Sequence, residues 1–202
     1  MLGNRPRSLP NRLRGPYCRL MNDDDLTQAR AQWNHRGSGR PDWAISPGRG
    51  QESVWDYPRP PRLEPDTRLV RVTHGKTVVA ESRQAIRVLE TASPPTFYLP
   101  PEDVRMELLS QARGASLCEW KGSATYWSLH LDGKEIDQAA WSYEEPFIDF
   151  VAIRGYLSFY PSKLECHVAE HRVTAQPGGF YGGWVTPDVV GPFKGEPGTG
   201  AW

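Results

Sequence analysis

Apolar and polar residues alternate with a period of two over several short segments of the chain, and two-residue turns separate these segments. Gly75-Lys76 and Asp132-Gly133 each lie between two alternating segments, so each predicts a β-hairpin. The predicted strands are residues 69–74, 77–81, 123–131, 134–139, 150–154, 156–161 and 164–174. This arrangement predicts a mainly β fold of small antiparallel sheets.

Two short helices are predicted within the β domain. Ser82 is a suitable N-cap for residues 82–90, and residues 100–113 combine a proline in the first turn with an apolar stripe. A further short helix, residues 26–34, is predicted nearer the N-terminus, with Asp25 as its cap.

A length of 202 residues suits a single domain with one core. We expect residues 1–34 to be a disordered or partly helical extension, 35–66 an extended arm, 67–187 the β domain and 188–202 a tail rich in Gly and Pro. Met21 is a candidate second start, which would make the first twenty residues dispensable.

Aromatic residues supply much of the expected core, because the chain has eight Trp, eight Tyr and six Phe. Three of them, Trp43, Trp55 and Tyr57, stand in the arm among glycines, prolines and arginines. A segment with such side chains is too apolar for a free linker, so we expect the arm to pack on the domain.

Charge and cysteine content exclude several classes of protein. Residues 1–50 contain nine Arg and four Asp, a net +5, so the remaining residues carry −5 and lack the basic surface of a nucleic-acid-binding domain. Three separated cysteines without a CxxC pair indicate neither a disulfide framework nor a zinc ribbon. No apolar run approaches the length of a membrane span and no signal peptide is recognisable, so we expect a cytoplasmic protein.

Six segments together resemble the family called domain of unknown function 427 (DUF427), which is also labelled nucleotidyltransferase-like. They are residues 50–64, 71–82, 89–105, 118–129, 141–146 and 178–186. The resemblance covers about residues 35–187 and implies a β-tent fold of the Mss4-like kind. This chain lacks the CxxC zinc knuckles of many β-tent proteins, and no pair of Asp with nucleotidyltransferase spacing follows Gly122-Ser123.

The candidate site lies in the segment that begins at Cys118. Strand period places Trp127 and Leu129 on one face, as core, and Tyr126 and His130 on the other, beside Lys121. Apolar walls with a few convergent polar groups are typical of a small-molecule cleft. The expected ligand-binding residues are Lys121, Tyr126, Trp141, Tyr143, Arg71 and Tyr98. Alternatively, the tyrosines only cap a core through their hydroxyl groups.

Catalytic residues are not determined by the sequence, but two candidates stand out. Cys118 would be a nucleophile if Lys121 lowered the pKa of its thiol. Glu90 is the carboxylate most expected near the cleft, because a rigid proline-containing loop follows it. Arg71, Lys121 and Arg105 are candidates for holding an anion; the alternative for the two arginines is pairing with surface carboxylates.

Two further motifs have simpler explanations. His167, Glu170 and His171 match the HxxEH zinc motif, but that motif requires a helix and these residues fall in a predicted strand. We therefore predict no metal site. The glycines of residues 178–184 lack the strand-to-helix context of a phosphate loop, and we expect them to let Phe180, Tyr181 and Trp184 fold onto the domain.

The sequence thus favours a domain that binds a small organic or nucleotide-like molecule in an aromatic-walled cleft. No cofactor, nucleic acid or membrane is expected as a partner. An enzyme, either a transferase or a hydrolase using Cys118 or Glu90, is one alternative. A structural or interaction protein that forms a homodimer through its aromatic surface is the other.

Overall fold

The computed structural model describes residues 23–200 and 202. Helix α1 is Asp23–Ala31. The strands are β1 Glu52–Ser53, β2 Arg62–Asp66, β3 Val70–His74, β4 Thr77–Ser82, β5 Ala85–Glu90, β6 Ser93–Tyr98, β7 Leu109–Cys118, β8 Gly122–Leu131, β9 Lys134–Ser142, β10 Ser158–Phe159, β11 Glu165–Val168, β12 His171–Arg172, β13 Thr174–Ala175, β14 Trp184–Val185 and β15 Val189–Val190. Short 3-10 helices are Val54–Asp56, Pro101–Asp103, Met106–Leu108 and Ile148–Ile153.

Small, mostly antiparallel sheets make up the fold, which confirms the predicted mainly β class. The two largest have the strand orders β10-β9-β8-β7 and β12-β11-β3-β4. A third has the order β2-β5-β6, and the pairs β13-β14 and β1-β15 complete the set. The pair β1-β15 is parallel and joins the arm to residues 188–202, which we call the C-terminal segment.

Both predicted hairpins are confirmed. Strands β3 and β4 pair through residues 70–74 and 77–82, with Gly75 at a positive φ between them. Strands β8 and β9 pair around Asp132-Gly133, whose φ angles of 52° and 72° match a type I′ turn. The short loops explain why local sequence was sufficient to locate these two units.

The helix predicted over residues 82–90 is wrong, because Ala85–Glu90 is strand β5. This strand is the middle one of its sheet, and its residues 85, 87, 88 and 89 are all buried. A strand buried on both faces loses the alternation of period two, so its apolar residues also match a helical spacing. Ser82 Oγ accepts a hydrogen bond from the Gln84 amide, but in a turn between strands.

Two other predicted elements are also wrong. Residues 100–113 form the 3-10 helices Pro101–Asp103 and Met106–Leu108 and the first part of β7, rather than one α-helix. Residues 150–154, predicted as a strand, lie mostly in the 3-10 helix Ile148–Ile153.

At the N-terminal end, the predicted helix is present as Asp23–Ala31, so Asp25 lies within it and does not precede it. Met21 lies outside the described residues.

Three clusters of buried side chains form the interior. The first cluster lies between the two four-stranded sheets and is centred on residues such as Val72, Leu129 and Phe159. The second contains Tyr98 and Trp141. Trp127 packs against the first cluster and Tyr126 against the second, so neighbouring residues of β8 face different interiors, as predicted. The third cluster joins the arm and the C-terminal segment to Leu89 and Ala92 of the β domain.

The arm and the C-terminal segment are packed together. Trp55 and Tyr57 are buried, and the Trp55 indole donates to the Pro192 carbonyl at 3.1 Å. The half-exposed Trp43 stacks on Trp202, with ring centroids 4.5 Å apart. The C-terminal segment therefore contributes a strand and buried side chains, where the sequence predicted only a surface tail.

Adjacent valines on β4 allow the core to be tested directly. Val79 is fully buried in the first cluster, whereas Val78 is 40% exposed. We expect Val79→Ala to lower the free energy of unfolding by about 2 kcal/mol, because methyl groups are lost and a cavity remains. Val78→Ala should change it by less than about 0.5 kcal/mol. Urea unfolding of both variants checks this, and equal effects would contradict the described face of β4.

Candidate functional site

A cavity of about 270 Å³ opens beside the second cluster, and we call it the aromatic cavity. Aromatic rings form most of its wall: Trp33, Tyr98, Tyr126, Trp141, Tyr143, Tyr160, Phe180 and Tyr181. Its charged lining residues are Glu90, Glu119, Lys121 and Lys194. A concave apolar wall with a few charged groups is the usual composition of a small-molecule site.

Six residues were expected to bind a ligand and two to act in catalysis, and seven of these eight line the aromatic cavity. They are Glu90, Tyr98, Cys118, Lys121, Tyr126, Trp141 and Tyr143. Arg71 does not, because it lies on β3 in another sheet and forms an exposed ion pair with Glu81. Arg105 likewise pairs with Glu107 at 2.8 Å on the surface. His130 is exposed near the β8–β9 turn and bonds to Ser110, apart from the cavity.

Pairing of β8 with β9 brings the main aromatic residues together. Tyr126 is the direct cross-strand partner of Trp141. The Trp141 indole donates a hydrogen bond of 3.0 Å to the Tyr98 hydroxyl, with the two rings edge to face. The Tyr126 hydroxyl donates to Ser116 Oγ at 2.8 Å across to β7. These bonds fix three rings of the wall on three different strands.

Lys121 is a buried cation without an ion-pair partner among the described residues. Its Nζ lies 6.0 Å from the ring centroids of both Tyr143 and Phe150. Burial disfavours the charge of Lys121, but the electrostatic attraction of Cys118 and its neighbours, among them Glu90, outweighs that cost and raises the pKa. Lys121 is therefore an ammonium group at neutral pH.

Cys118 and Glu90 both reach the cavity, in different situations. Cys118 is half-buried at the end of β7, beside Lys121, and its thiol is free. Glu90 is paired with the buried guanidinium of Arg59, at 3.2 Å. Arg59 also donates to the Thr91 and His35 carbonyls, which holds the pair in place.

The sequence missed Lys194, which is almost fully buried. Its Nζ lies 3.4 Å from the ring centroid of Trp33 and 5.3 Å from that of Tyr181. Its backbone N–H donates to Ala92 and its carbonyl accepts from Gln176, both at 2.8 Å. The residues around Lys194 are rich in Gly and Pro, and they contain no local pattern that indicates a buried side chain at the cavity.

The pKa of Lys194 is displaced in the opposite direction from that of Lys121. Burial lowers the pKa of Lys194 to about 8; nearby Arg59 acts in the same direction and Glu90 opposes them. No carboxylate within the described chain is close enough to Lys194 to form an ion pair. The cavity therefore holds one lysine that stays charged and one that titrates near neutral pH.

Trp33 was missed as well, and it connects the N-terminal helix to the cavity. Its indole donates to Glu119 Oε1 at 2.8 Å, and Arg30 donates to the Glu119 carbonyl at the same distance. The Arg59 guanidinium lies 4.5 Å from the Trp33 ring centroid. The sequence did contain a signal for this contact, namely a tryptophan at the end of a predicted helix. A large apolar side chain does not stabilise an isolated exposed helix, so its presence indicates packing against the domain.

Residues 164–174, predicted as one strand, contain the hairpin of β11 and β12, whose turn contains Glu170, so the HxxEH residues do not lie on a helix. His167 pairs with Arg172 and Val168 with His171 across β11 and β12. Across residues 23–200, no three His, Cys, Asp or Glu side chains are grouped so that they could bind a metal ion. In the same region, no helix has both the length and the apolar character needed to cross a membrane.

Comparison with known families identifies the β domain. A family model described as Domain of unknown function (DUF427) matches residues 62–170. The chain belongs to this family. No curated protein matches the chain significantly. The DUF427 match includes Glu90, Lys121 and Trp141, whereas Trp33 and Lys194 lie outside it. The aromatic cavity is thus completed by segments on both sides of the matched region.

Gly182 provides a test of the packing of the cavity wall. A Cβ at this position would lie 2.6 Å from Trp141 Cζ3, closer than packed atoms approach. We expect Gly182→Ala to displace the Trp141 ring and to cost about 1–3 kcal/mol in urea unfolding. Gly39→Ala is the control, because nothing lies within 4 Å of a Cβ there. Equal stability of the two variants would contradict the described contact.

The lowered pKa of Lys194 makes stability depend on pH. Unfolding returns the pKa to its ordinary value, so between about pH 8 and pH 10.5 the unfolded chain binds more protons at Lys194 than the folded chain does. Wild type should therefore gain stability relative to Lys194→Met as the pH rises from 8 to 10. Urea unfolding at several pH values measures this difference. A constant or falling difference, or the same trend against Lys76→Met, would refute the assignment.

Proposed function

We propose that the aromatic cavity binds a small organic anion with a flat apolar body. The observation that carries this proposal is the pair of buried lysines, Lys121 and Lys194, which line one cavity without a carboxylate at ion-pair distance among the described residues. An anionic ligand would supply the missing counter-charge.

The charge of Lys121 supports this proposal. Lys121 is an ammonium group inside the cavity, where attraction between charges is stronger than in bulk water. The two carboxylates of the cavity already have other donors, since Glu90 contacts Arg59 and Glu119 contacts Trp33. The positive charge of Lys121 can therefore attract an anionic ligand.

The aromatic wall and the volume limit the size and shape of the ligand. Tyr98, Tyr126, Trp141 and Tyr143 offer ring faces and edges on which a planar group can stack. A volume of about 270 Å³ is at the lower end for small-molecule sites, which favours a ligand with one ring system. A nucleotide-like molecule with one base and one acidic group belongs to this class.

The cytoplasm is the proposed location of this activity. Cys118 and Cys166 are free thiols in the structure, as expected for a protein kept in a reducing compartment.

Paired probes that differ only in charge test the proposal. We expect 4-methylbenzoate to raise the melting temperature of the full chain more than 4-methylbenzamide does, because only the former carries a charge for the lysines. Lys121→Met should weaken 4-methylbenzoate binding by about tenfold or more in calorimetric titration. Lys76→Met, which removes an exposed lysine from the β3–β4 turn, should leave it unchanged.

Two results would contradict the proposal. One is equal binding of the amide and the carboxylate, and the other is unchanged carboxylate binding by Lys121→Met. Methionine is suited to this experiment because it keeps most of the apolar stem of lysine and removes the charge. Loss of binding in that variant therefore reports on the charge.

A further inference from the structure

Lys194 differs from every other lysine of the chain in its surroundings. Five lysines are present: Lys76, Lys121, Lys134, Lys163 and Lys194. Lys121 is buried but remains charged, and Lys76, Lys134 and Lys163 are exposed. Only Lys194 combines burial, a position in a cavity and a pKa close to neutrality.

The position of Lys194 is fixed by its backbone. The amide donates to Ala92 and the carbonyl accepts from Gln176, whose own Oε1 accepts from the Gly183 amide at 3.1 Å. The side chain then extends to the Trp33 and Tyr181 rings, both of which line the cavity. Contact with these rings holds the side chain at the cavity wall, so its amino group meets a ligand with a smaller loss of rotamer entropy.

The two carboxylates near the Lys194 amino group bond to other residues. Glu90 forms an ion pair with Arg59 and Glu119 accepts a hydrogen bond from Trp33, so neither forms an ion pair that would hold Lys194 in its charged form. Arg59 adds a positive charge nearby, which further disfavours the ammonium. Desolvation and a neighbouring cation are the two conditions that produce nucleophilic lysines in enzymes.

We propose that Lys194 forms an imine with a small organic anion that carries an aldehyde or ketone group. This inference rests on the proposed anion binding, because Lys121 would hold the carboxylate of the same molecule. The ligand class is thereby narrowed to oxo acids with a planar body, and the cavity becomes a candidate active site with Lys194 as nucleophile.

The reaction balances without any oxidant or reductant. The lone pair of the uncharged Lys194 amine adds to the carbonyl carbon, and the π electrons of the carbonyl move to oxygen, which takes up a proton while the nitrogen loses one. The resulting carbinolamine loses its hydroxyl group as water after a further protonation, and the nitrogen lone pair forms the C=N bond. The protonated imine then releases its N–H proton, which replaces the one consumed in forming water. Amine and carbonyl compound are consumed, and imine and water are produced.

A lowered pKa gives Lys194 a large advantage over exposed lysines. With a pKa of about 8, roughly a quarter of the Lys194 amines are uncharged at pH 7.5, against about one in a thousand for an ordinary lysine. Lys121, whose pKa is raised, has fewer still. The same cavity therefore contains an electrostatic anchor and a nucleophile.

Reductive trapping measures the reaction directly. The full-length chain is incubated at pH 7.5 with 4-formylbenzoate and sodium cyanoborohydride, which reduces the imine to a stable secondary amine. Peptide mapping by mass spectrometry then gives the modification rate of each lysine. We expect Lys194 to react about tenfold or more faster than Lys76, which serves as the internal control in the wild-type chain. Modification of Lys194 no faster than Lys76 would overturn the proposal.

Two controls separate this proposal from the anion-binding proposal. Labelling of Lys194 should be slower with 4-methylbenzaldehyde, which lacks the carboxylate, and 4-methylbenzoate should compete with 4-formylbenzoate. If 4-methylbenzoate binds but Lys194 shows no preferred labelling, the imine is refuted and the binding proposal stands. If 4-methylbenzoate neither binds nor competes, the binding proposal fails, and with it the imine proposal that rests on it. Lys194→Arg should abolish the fast labelling without altering that of Lys76.

Discussion

The contact between Trp33 and Lys194 brings together two lining residues of the aromatic cavity from opposite ends of the chain. Trp33 lies just after the N-terminal helix and Lys194 in the C-terminal segment, and both flank the region that matches DUF427. The matched region supplies Lys121 and most of the tyrosines, and the two flanking segments supply the rest of the wall. Charges in such a cavity are shielded from water and interact more strongly than on the surface.

Shielding has opposite consequences for the two lysines. Lys121 has Cys118, Tyr98 and Glu90 as electrostatic neighbours, and it keeps its proton. Lys194 loses its proton more easily, because burial and the neighbouring Arg59 disfavour its charge. The pKa values of two identical side chains thus differ because their surroundings differ. Such differences occur in active sites where one group binds the substrate and another reacts with it.

Both hairpins were predictable from the sequence, because the turn residues and the alternation that define a hairpin are close together in the chain. The turns Gly75-Lys76 and Asp132-Gly133 have the required residues, and alternation around them identified both hairpins. Strand β5 was misread as a helix because it is buried on both faces and has no alternation to read. The β-tent assignment of the fold stays a prediction from the family resemblance.

The candidate site was predictable mainly where its residues are close in sequence. Cys118, Lys121 and Tyr126 belong to one hairpin, and the strand pairing adds Trp141 beside them. Glu90 and Tyr98 reach the cavity from the sheet β2-β5-β6. Arg71 was placed wrongly because its sheet, β12-β11-β3-β4, contributes no lining residue, and neither strand period nor charge reveals which sheets meet at the cavity. Lys194 and Trp33 reach the cavity through long-range packing of the terminal segments, and no local pattern encodes that packing.

A crystal structure with 4-iodobenzoate would show whether the aromatic cavity binds an aromatic carboxylate, because anomalous scattering from iodine locates the ligand without reliance on its shape. We expect one iodine site per chain within the aromatic cavity, with the carboxylate beside Lys121 and the ring against the tyrosines and Trp141. Iodine found only outside the cavity, or a cavity left empty at saturating ligand, would contradict the claim that these buried lysines form an anion-binding site.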